Sequence, residues 1–433
     1  MRKLLKHFWP IAIAALILFT ITACSKNSKN SGKDAETETN YGEYGESYSD
    51  WQGDYAGSQI IGEREDDPSL LQYKLWKDVA LGEYHVIAID EDGCLWGWGR
   101  GDRGQVGDGT DSDRTEEPVK IGNDRDWKTV AAGRDHSMAI KTDGSLWVWG
   151  LFDSKNNWAD PAEVQSSIPV EVGGNDWKAI SGGYSYNTAI KTDGSLWIWG
   201  SCDGYGPDNH FNIHTPQPIY GGGEWKTVSA GDYHTVGIKT DGSLWGWGNF
   251  YLYDGTHENK DIPTQIGTDT DWEMVSAGDI YTMAIKKDHS LWGWGGNNRS
   301  QMGNGATMNE EDYVTPGYDV PTRIGTESNW QAVSASMDGT HTMAIKTDGS
   351  LWAWGLNVGN FGIKKDIMIS NVPINTETGT NWKTIRTGDG FTAGIRKNGT
   401  LWTWGDNFNG QLGRSNEGYS AILPGAVKIP KGK

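Results

Sequence analysis

A single ten-residue phrase, KTDGSLWGWG at 239–248, recurs along this 433-residue chain. Close copies lie at 141–150, 191–200 and 346–355, and looser copies end at Gly99, Gly295 and Gly405. The acid or asparagine that opens each copy returns at intervals of 51, 50, 48, 47, 60 and 50 residues. A period near 50 residues, filled with short segments, is typical of propellers and solenoids, in which each unit packs only on its neighbours.

Each unit contains four short segments with alternating apolar residues. They are exemplified by WKTVSAG at 225–231, HTVGIKTDG at 234–242, LWGWG at 244–248 and PVKIG at 118–122. Such segments, bounded by Gly and Asp, predict strands, which we name A, B, C and D in chain order. The Asp-Gly pair between strands B and C predicts a type I′ hairpin turn. We therefore expect an all-β fold, a seven-bladed β-propeller of four-stranded antiparallel blades.

The tryptophans support this architecture. Of the 24 tryptophans, 21 fall in three columns of seven: one opens strand A, and two form the pair in LWxWG. Residues at i and i+2 of a strand point to the same side, so each pair presents two rings to one neighbour. We expect the rings of one blade to pack on the next. A sugar platform or a light-absorbing array is the alternative, but packing accounts for all three columns.

Closing seven blades into a ring protects the sheet edges. Strand A, which carries small residues, suits the narrow centre. The chain offers one outer strand too many, because PSLLQY at 68–73 and AVKI at 426–429 compete for the seam.

The N-terminal region indicates export. A basic stretch, MRKLLKH, precedes an apolar stretch, FWPIAIAALILFTI, and ITAC follows at 21–24. This predicts a signal peptide over 1–23, a flexible tether over 24–66 and the propeller over 67–433. ITAC resembles the lipobox of bacterial lipoproteins. That resemblance implies a lipidated Cys24 as the only membrane attachment, with the protein on the cell membrane and facing away from the cytoplasm. An ordinary secretory signal or an uncleaved anchor is the alternative.

Composition and motifs narrow the function. A net charge of −19 disfavours nucleic-acid binding. Cys94 and Cys202 lie two units apart, so we expect no disulfide between them. The chain lacks G-x-S-x-G, HExxH, P-loop and CxxC motifs, so we expect no enzymatic activity and no cofactor.

A column of aromatic rings and histidines opens strand B. It consists of His85, His136, Tyr186, His234, Tyr281, His341 and Phe391. Because tyrosine and phenylalanine share the column, we expect it to be structural and assign no metal. The Asp-rich D–A loops lack the alternating carboxylates of a calcium loop.

Several segments resemble the repeat of the regulator of chromosome condensation family. WGDNFNGQLG at 404–413 matches closely, WGRGDRGQVGDG at 98–109 and WGGNNRSQMGNG at 294–305 match well, and VSAGDYHTVGI at 228–238 matches the second half. The other four units keep WG and lose GQLG. The resemblance covers about residues 70–430 and implies a seven-bladed propeller. It implies no single function, since the family's founding member is a nucleotide-exchange factor and a secreted bacterial member inhibits β-lactamases by covering them with one face.

The loops predict which face is functional. In an antiparallel blade the A–B and C–D loops share one face, and the B–C and D–A loops share the other. The C–D loops vary in length and carry aromatic residues, a pattern typical of recognition surfaces on rigid scaffolds. We expect the partner-binding face to include Tyr84, Arg134, Tyr184, Tyr233, Asp389, Phe152, Trp158, Tyr205, Phe250, Tyr251, Tyr253 and Phe408.

The expected function is recognition of an extracellular or envelope protein by a surface-anchored propeller. A glycan- or cell-wall-binding propeller is one alternative, and a hydrolase of an extracellular polymer is another.

Overall fold

The computed structural model describes residues 69, 72–153, 164–201, 212–219, 222–249, 252, 254–256, 258–306, 317–363, 367–415 and 418–430. All described residues lie in one compact unit, Ile60–Lys433. They form 28 strands in seven antiparallel sheets, each made of four strands that are consecutive in sequence. The predicted seven-bladed β-propeller is confirmed. Within the described part of the chain, no helix has the length and hydropathy of a membrane span.

The four strand columns follow the predicted order. The A strands are β1 (Trp76–Leu81), β5 (Trp127–Ala132), β9 (Trp177–Gly182), β13 (Trp225–Ala230), β17 (Trp272–Ala277), β21 (Trp330–Ala335) and β25 (Trp382–Thr387). The B strands are β2 (His85–Asp90), β6 (His136–Lys141), β10 (Tyr186–Lys191), β14 (His234–Lys239), β18 (Tyr281–Lys286), β22 (His341–Lys346) and β26 (Phe391–Arg396).

The outer two columns complete each blade. The C strands are β3 (Leu95–Gly99), β7 (Leu146–Asp153), β11 (Leu196–Ser201), β15 (Leu244–Gly248), β19 (Ser290–Gly295), β23 (Leu351–Leu356) and β27 (Leu401–Asp406). The D strands are β4 (Thr115–Ile121), β8 (Val164–Glu171), β12 (Asn212–Pro218), β16 (Lys260–Gln265), β20 (Tyr318–Ser328), β24 (Ile369–Asn375) and β28 (Ser420–Ala426). Neighbouring A strands contact one another around the ring, which places strand A innermost.

The B–C turn differs from the predicted type I′. In the second blade the amide of Gly144 donates to the carbonyl of Lys141 at 3.0 Å, and the amide of Lys141 donates to the carbonyl of Ser145. Positive φ is confined to Gly144, at 86°, whereas type I′ also requires it at Asp143. The turn is therefore the three-residue form, in which a left-handed glycine follows a type I turn. The type I′ prediction is wrong.

Side chains at and after the B–C turn form a second repeated feature, a short chain of hydrogen bonds. The Oδ1 atom of Asp143 accepts hydrogen bonds from the amide and hydroxyl of Ser145, and the Ser145 hydroxyl accepts one from Trp147 Nε1 at 3.1 Å. The same relay recurs in four blades with aspartate and serine and in the last with Asn398 and Thr400. In these six blades the repeated residues orient the first indole of their own copy, whereas in the first blade Trp96 Nε1 donates to Asp90.

The indoles pack largely as predicted. All seven strand-A tryptophans and the second tryptophan of every LWxWG are buried. Trp272 and Trp294 of the fifth blade share a core cluster with Val236, Ile238 and Leu244 of the fourth. The first tryptophan of LWxWG is only half-buried in five blades. There a lysine covers it, as Lys239 Nζ does 3.4 Å from the Trp245 ring centroid, so part of this column is capped by a cation rather than by the next blade.

The GQLG segments cap the next blade. Gln105 of the first blade accepts a 3.0 Å hydrogen bond from Trp149 Nε1 of the second through its carbonyl, and Gly107 lies so close to that indole that a side chain would overlap it. In the sixth blade GNFG at 359–362 forms the same cap, with the Asn360 carbonyl accepting from Trp404 Nε1 at 2.8 Å. Phe361 is buried in this cap.

The ring closes between the first and last blades without exchanging a strand. The amide of Trp76 donates to the carbonyl of Gly399 at 2.7 Å, as each strand-A tryptophan does to the preceding B–C turn. The outer strand of the last blade is β28. The two segments around 68–73 and 426–429, which compete for the seam in the sequence, contact each other instead. Tyr73 bridges Pro430, and the amide of Lys74 donates to the carbonyl of Ile429.

Some predictions fall outside the described residues. The signal peptide over 1–23, the tether over 24–66, Cys24 and Cys202 are among them. Cys94 is described, and it is buried with a free thiol.

Candidate binding site at the centre of the loop face

Repeated hydrogen bonds define the two faces. In six blades the residue directly after the glycine of LWxWG, where strand C ends or continues towards the C–D loop, donates its amide to a carbonyl of the A–B loop, as Arg100 does to Tyr84 at 2.9 Å. The A–B and C–D loops therefore share one face, which we name the loop face. On the opposite face, the residues before strand A are bonded to the near-identical B–C turns, so that face repeats the same geometry from blade to blade.

The A–B loops meet around the propeller axis. The amide of Glu83 donates to the carbonyl of Arg134, and the amide of Asp389 donates to the carbonyl of Glu83. These loops surround an open depression of about 40 Å³, which we name the axial mouth. Its lining residues are Glu83, Arg134, Tyr184, Asp232, Met337, Asp338 and Asp389.

One side of the axial mouth is held by an ionic network. Arg134 Nε lies 2.8 Å from Glu83 Oε2, and its guanidinium stacks 4.3 Å from the Tyr184 ring centroid. Arg100 lies 3.7 Å from Asp135 and pairs with Asp102 at 2.8 Å. The basic groups of this side are therefore already engaged by neighbouring carboxylates.

The other side of the axial mouth is acidic. Asp338 and Tyr84 lie close enough to Asp389 to interact with it electrostatically. Burial, reinforced by the nearby Asp338 charge, raises the pKa of Asp389 to about 8 and that of Asp279 to about 7. Burial next to Asp279 also raises the pKa of Asp232 well above its ordinary value. Near neutral pH, Asp279 and Asp389 therefore hold protons that exposed aspartates would have released.

The structure places four predicted residues at or beside the mouth. Arg134, Tyr184 and Asp389 line it, and Tyr84 contacts Asp389. Tyr233 is half-buried in the fourth A–B loop but is not part of the lining, which the preceding Asp232 supplies.

Four lining residues were not predicted: Glu83, Asp232, Met337 and Asp338. A sequence pattern could have indicated two of them. Glu83 and Asp232 occupy the repeat position directly after the Gly that follows strand A, the same position as Arg134, Tyr184, Asp279 and Asp389 in other repeats. Met337 and Asp338 come from the sixth A–B loop, which is two residues longer than the others. The charged residues of this column form one site only because the closed ring brings the A–B loops together.

The ring-bearing column behind the mouth is buried. His85 Nε2 bonds to Ser137 of the next blade, His136 Nε2 to Asn187, and His234 Nε2 to Thr282. Tyr186 and Tyr281 make the equivalent bonds with their hydroxyls, to Thr235 and Thr342. Burial lowers the pKa of His85 to about 3 and of His136, His234 and His341 to about 4. The described residues contain no group of three His, Cys, Asp or Glu side chains that could hold a metal ion.

An aromatic pair marks the rim of the loop face. Phe408 is 48% exposed and stacks on Tyr419, which is 66% exposed, with ring centroids 5.1 Å apart. Val358 of the sixth C–D loop is also exposed and lies near Gly390, the residue after Asp389. The loop face therefore exposes an apolar side chain beside the mouth, Val358, and an aromatic pair at the rim.

The remaining predicted site residues lie outside the described part. They are Trp158, Tyr205, Phe250, Tyr251 and Tyr253. Phe152 lies in β7, but its side chain is not described.

The sequence profile of the RCC1-like domain matches residues 45–366. This protein belongs to the RCC1-like domain family. Profiles of the regulator of chromosome condensation (RCC1) repeat also match 382–411 and 398–433, so family matches extend to the last blade.

Named relatives in this family match over short stretches. The chain is 31% identical over 78 residues to the regulator of chromosome condensation of Xenopus laevis, covering 18% of each chain. It is 35% identical over 75 residues to the ultraviolet-B receptor UVR8 of Arabidopsis thaliana, covering 17% of each. The guanine nucleotide exchange factor SRM1 of Saccharomyces cerevisiae is 28% identical over 109 residues, covering 22% of this chain and 23% of that one. The chain thus spans about a fifth of these relatives' lengths.

Solved structures share the fold over most of the chain. Human WBSCR16 superposes with a TM-score of 0.66 and 18% identity, covering 78% of this chain and 95% of that one. Prp20p from Saccharomyces cerevisiae superposes with a TM-score of 0.66 and 17% identity, covering 82% and 88%. At this identity the likeness concerns the RCC1-like fold alone.

Proposed function

We propose that this RCC1-like protein is a surface-anchored recognition module that binds a partner protein through its loop face and has no catalytic activity of its own. The anchor is a lipid on Cys24, the tether reaches to about residue 66, and the partner is an extracellular or envelope protein. The net charge of −19 opposes binding to nucleic acid.

The contrast between the two faces carries this proposal. The opposite face is made of turns whose backbone bonds repeat from blade to blade. The loop face combines an axial mouth, made from loops of different composition, with exposed rings at Phe408 and Tyr419. Aromatic anchors and charged groups on a rigid scaffold are the usual components of a protein-binding surface.

One solved structure of the same fold supports protein binding. The structure of Prp20p is described together with its binding to Gsp1p and histones. The proposal transfers only this general mode, recognition of a protein partner, to the present chain.

A face-specific capture experiment tests the proposal. The full chain carries either F408A/Y419A on the loop face or R125A on the opposite face, where Arg125 is exposed beside the first B–C turn. Proteins from envelope and culture extracts are captured on each variant and quantified by mass spectrometry. We expect a partner retained by wild type and R125A and depleted at least about tenfold on F408A/Y419A. Equal capture by all three proteins would contradict binding through this face.

Glycan binding is a second candidate, favoured by the exposed Phe408–Tyr419 pair, since sugars pack on exposed aromatic rings. A glycan array probed with the same variants separates the two functions. A glycan signal that F408A/Y419A abolishes, without a captured protein, would replace the protein-binding proposal.

A further inference from the structure

We propose that the axial mouth is a receptor for one arginine side chain of the partner protein, with the guanidinium held among Asp232, Asp338 and Asp389. This inference rests on the proposed function, because it specifies the chemical group that enters the centre of the loop face.

The charges of the axial mouth favour a cation. Its lining has four carboxyl groups and one cation, Arg134, which already pairs with Glu83 at 2.8 Å. Asp232, Asp338 and Asp389 have no basic partner among the described residues within ion-pair distance. Opposite charges brought together in a partly desolvated recess attract strongly, so the three aspartates select a positively charged group.

The mouth also holds an unused hydrogen-bond acceptor. Asp232 is half-buried as a residue, but its Oδ1 atom is closed off from solvent and accepts no hydrogen bond in the described part of the chain. An Oδ1 atom of Asp279, behind Gly339, is in the same state. Buried acceptors without a donor cost free energy, and a guanidinium brings five N–H donors in one plane.

The walls of the axial mouth favour an organic cation over a metal ion. Tyr184 and Met337 form part of the wall, so a ligand meets aromatic and thioether surface beside the carboxyl groups. No trio of metal-binding side chains was found among the described residues. The protein already stacks one guanidinium, that of Arg134, on Tyr184. Arginine suits such a site better than lysine because it is planar and more weakly hydrated.

Binding of a guanidinium has a proton linkage. Burial raises the pKa of Asp279 to about 7 and that of Asp389 to about 8, so part of their population is protonated near neutral pH. Burial raises the pKa of Asp232 as well. Tyr84, Glu83, Asp338 and Arg134 are the other titratable groups that face Asp389. A bound cation favours the ionised carboxylates, so binding releases protons, and affinity rises as the pH rises towards about 8.

Short peptides test the inference on the full chain. Ac-Gly-Arg-Gly-NH2, its lysine analogue and its neutral citrulline analogue are titrated at low salt and followed by saturation-transfer NMR. We expect the arginine peptide to bind at least about tenfold more tightly than the citrulline peptide, and about threefold more tightly at pH 8.5 than at pH 6. The variant D338N/D389N should lose about tenfold in affinity. The variant D113N/D261N, which removes the same charge at exposed positions, should bind like wild type.

Several results would overturn the inference. They are equal binding of the citrulline or lysine peptide, unchanged binding by D338N/D389N, and displacement of the arginine peptide by millimolar Ca²⁺. If D338N/D389N fails to fold, as judged by circular dichroism, the peptide and Ca²⁺ comparisons on wild type decide alone. A partner that depends on Phe408 and Tyr419, combined with an arginine peptide that does not bind, would leave the proposed function standing and remove only this inference.

Discussion

Trp98 Nε1 donates a 2.9 Å hydrogen bond to the backbone carbonyl of Gln411, 313 residues further along the chain. The bond crosses the seam between the first and last blades, and both residues are buried. It is the same cap that Gln105 provides for Trp149. The seam is therefore held by the same contact as the interior interfaces, which explains how the ring closes without a shared strand.

Trp98→Phe should weaken the seam. The change removes ring volume and leaves the Gln411 carbonyl without its donor. Trp354→Phe is a matched control, because Trp354 is equally buried and packs on Gly303, but its Nε1 has no acceptor among the described residues. Trp98→Phe should lower the free energy of unfolding by about 1–2 kcal/mol more than Trp354→Phe. Guanidinium unfolding measures both, and equal losses would show that the cap contributes nothing beyond packing.

Gly242→Ala should be strongly destabilising. Gly242 closes the fourth B–C turn with φ of 86°, and a Cβ there would overlap the carbonyl oxygen of Thr270. Gly267→Ala is the control that separates the cost of backbone strain from the cost of steric overlap. Gly267 also has positive φ, at 66°, but a Cβ there would meet no neighbouring atom. We expect a loss of about 1 kcal/mol for Gly267→Ala and at least about 2 kcal/mol for Gly242→Ala. A melting temperature that falls equally in both variants would show that the turn has room to move.

The fold could be predicted from the sequence because the repeated phrase encodes contacts within one blade or between adjacent blades. The roles of Asp143, Ser145 and Trp147 depend on residues two positions apart, so they repeat visibly. The turn type was missed because Asp143 keeps negative φ while its carboxylate bonds to Ser145. The cap in the sixth blade was not predicted, because GNFG at 359–362 folds like GQLG although its sequence differs.

The site was harder to predict than the fold. Glu83 and Asp389 are neighbours only because the ring closes, and no local pattern reports contact between residues so far apart in the chain. The mouth also depends on the longer sixth A–B loop, which breaks the repeat and supplies Met337 and Asp338. Tyr84, Arg134, Tyr184 and Asp389 were found because they stand on the predicted loops. Their roles as partner contacts stay predictions.

Asp389→Asn should stabilise the fold at alkaline pH. The folded-state pKa of about 8 lies above the unfolded value near 4, so this carboxyl contributes stability below about pH 4. That contribution is lost as the pH rises to about 8, when a buried charge forms next to Asp338. A neutral amide avoids this loss, so the variant should gain on the order of 1–2 kcal/mol relative to wild type between pH 5 and pH 8.5. Unfolding curves at the two pH values measure the gain, and Asp113→Asn, at an exposed position, should show none.

His234→Tyr should reduce the sensitivity of the fold to acid. Burial lowers the folded-state pKa of His234 to about 4, while the unfolded value is near 6.5. Between about pH 4 and pH 6.5 the unfolded chain therefore binds one more proton than the folded protein. The stability that neutral His234 contributes above about pH 6.5 is lost as the pH falls to about 4. Tyrosine already occupies this column at Tyr186 and Tyr281, where its hydroxyl bonds to the next blade as His234 Nε2 does.

The free energy of unfolding of the His234→Tyr variant, measured from pH 7 to pH 4, should fall less steeply, by about 1.4 kcal/mol per pH unit at the steepest point. Tyr186→Phe serves as the control, since it removes a hydroxyl from the same column without changing a group that titrates in this range. An unchanged slope for His234→Tyr would mean that His234 is already protonated in the folded state. The carboxyl groups of the axial mouth act in the opposite direction over the same range, so the comparison must be made between variants and not from the wild-type profile alone.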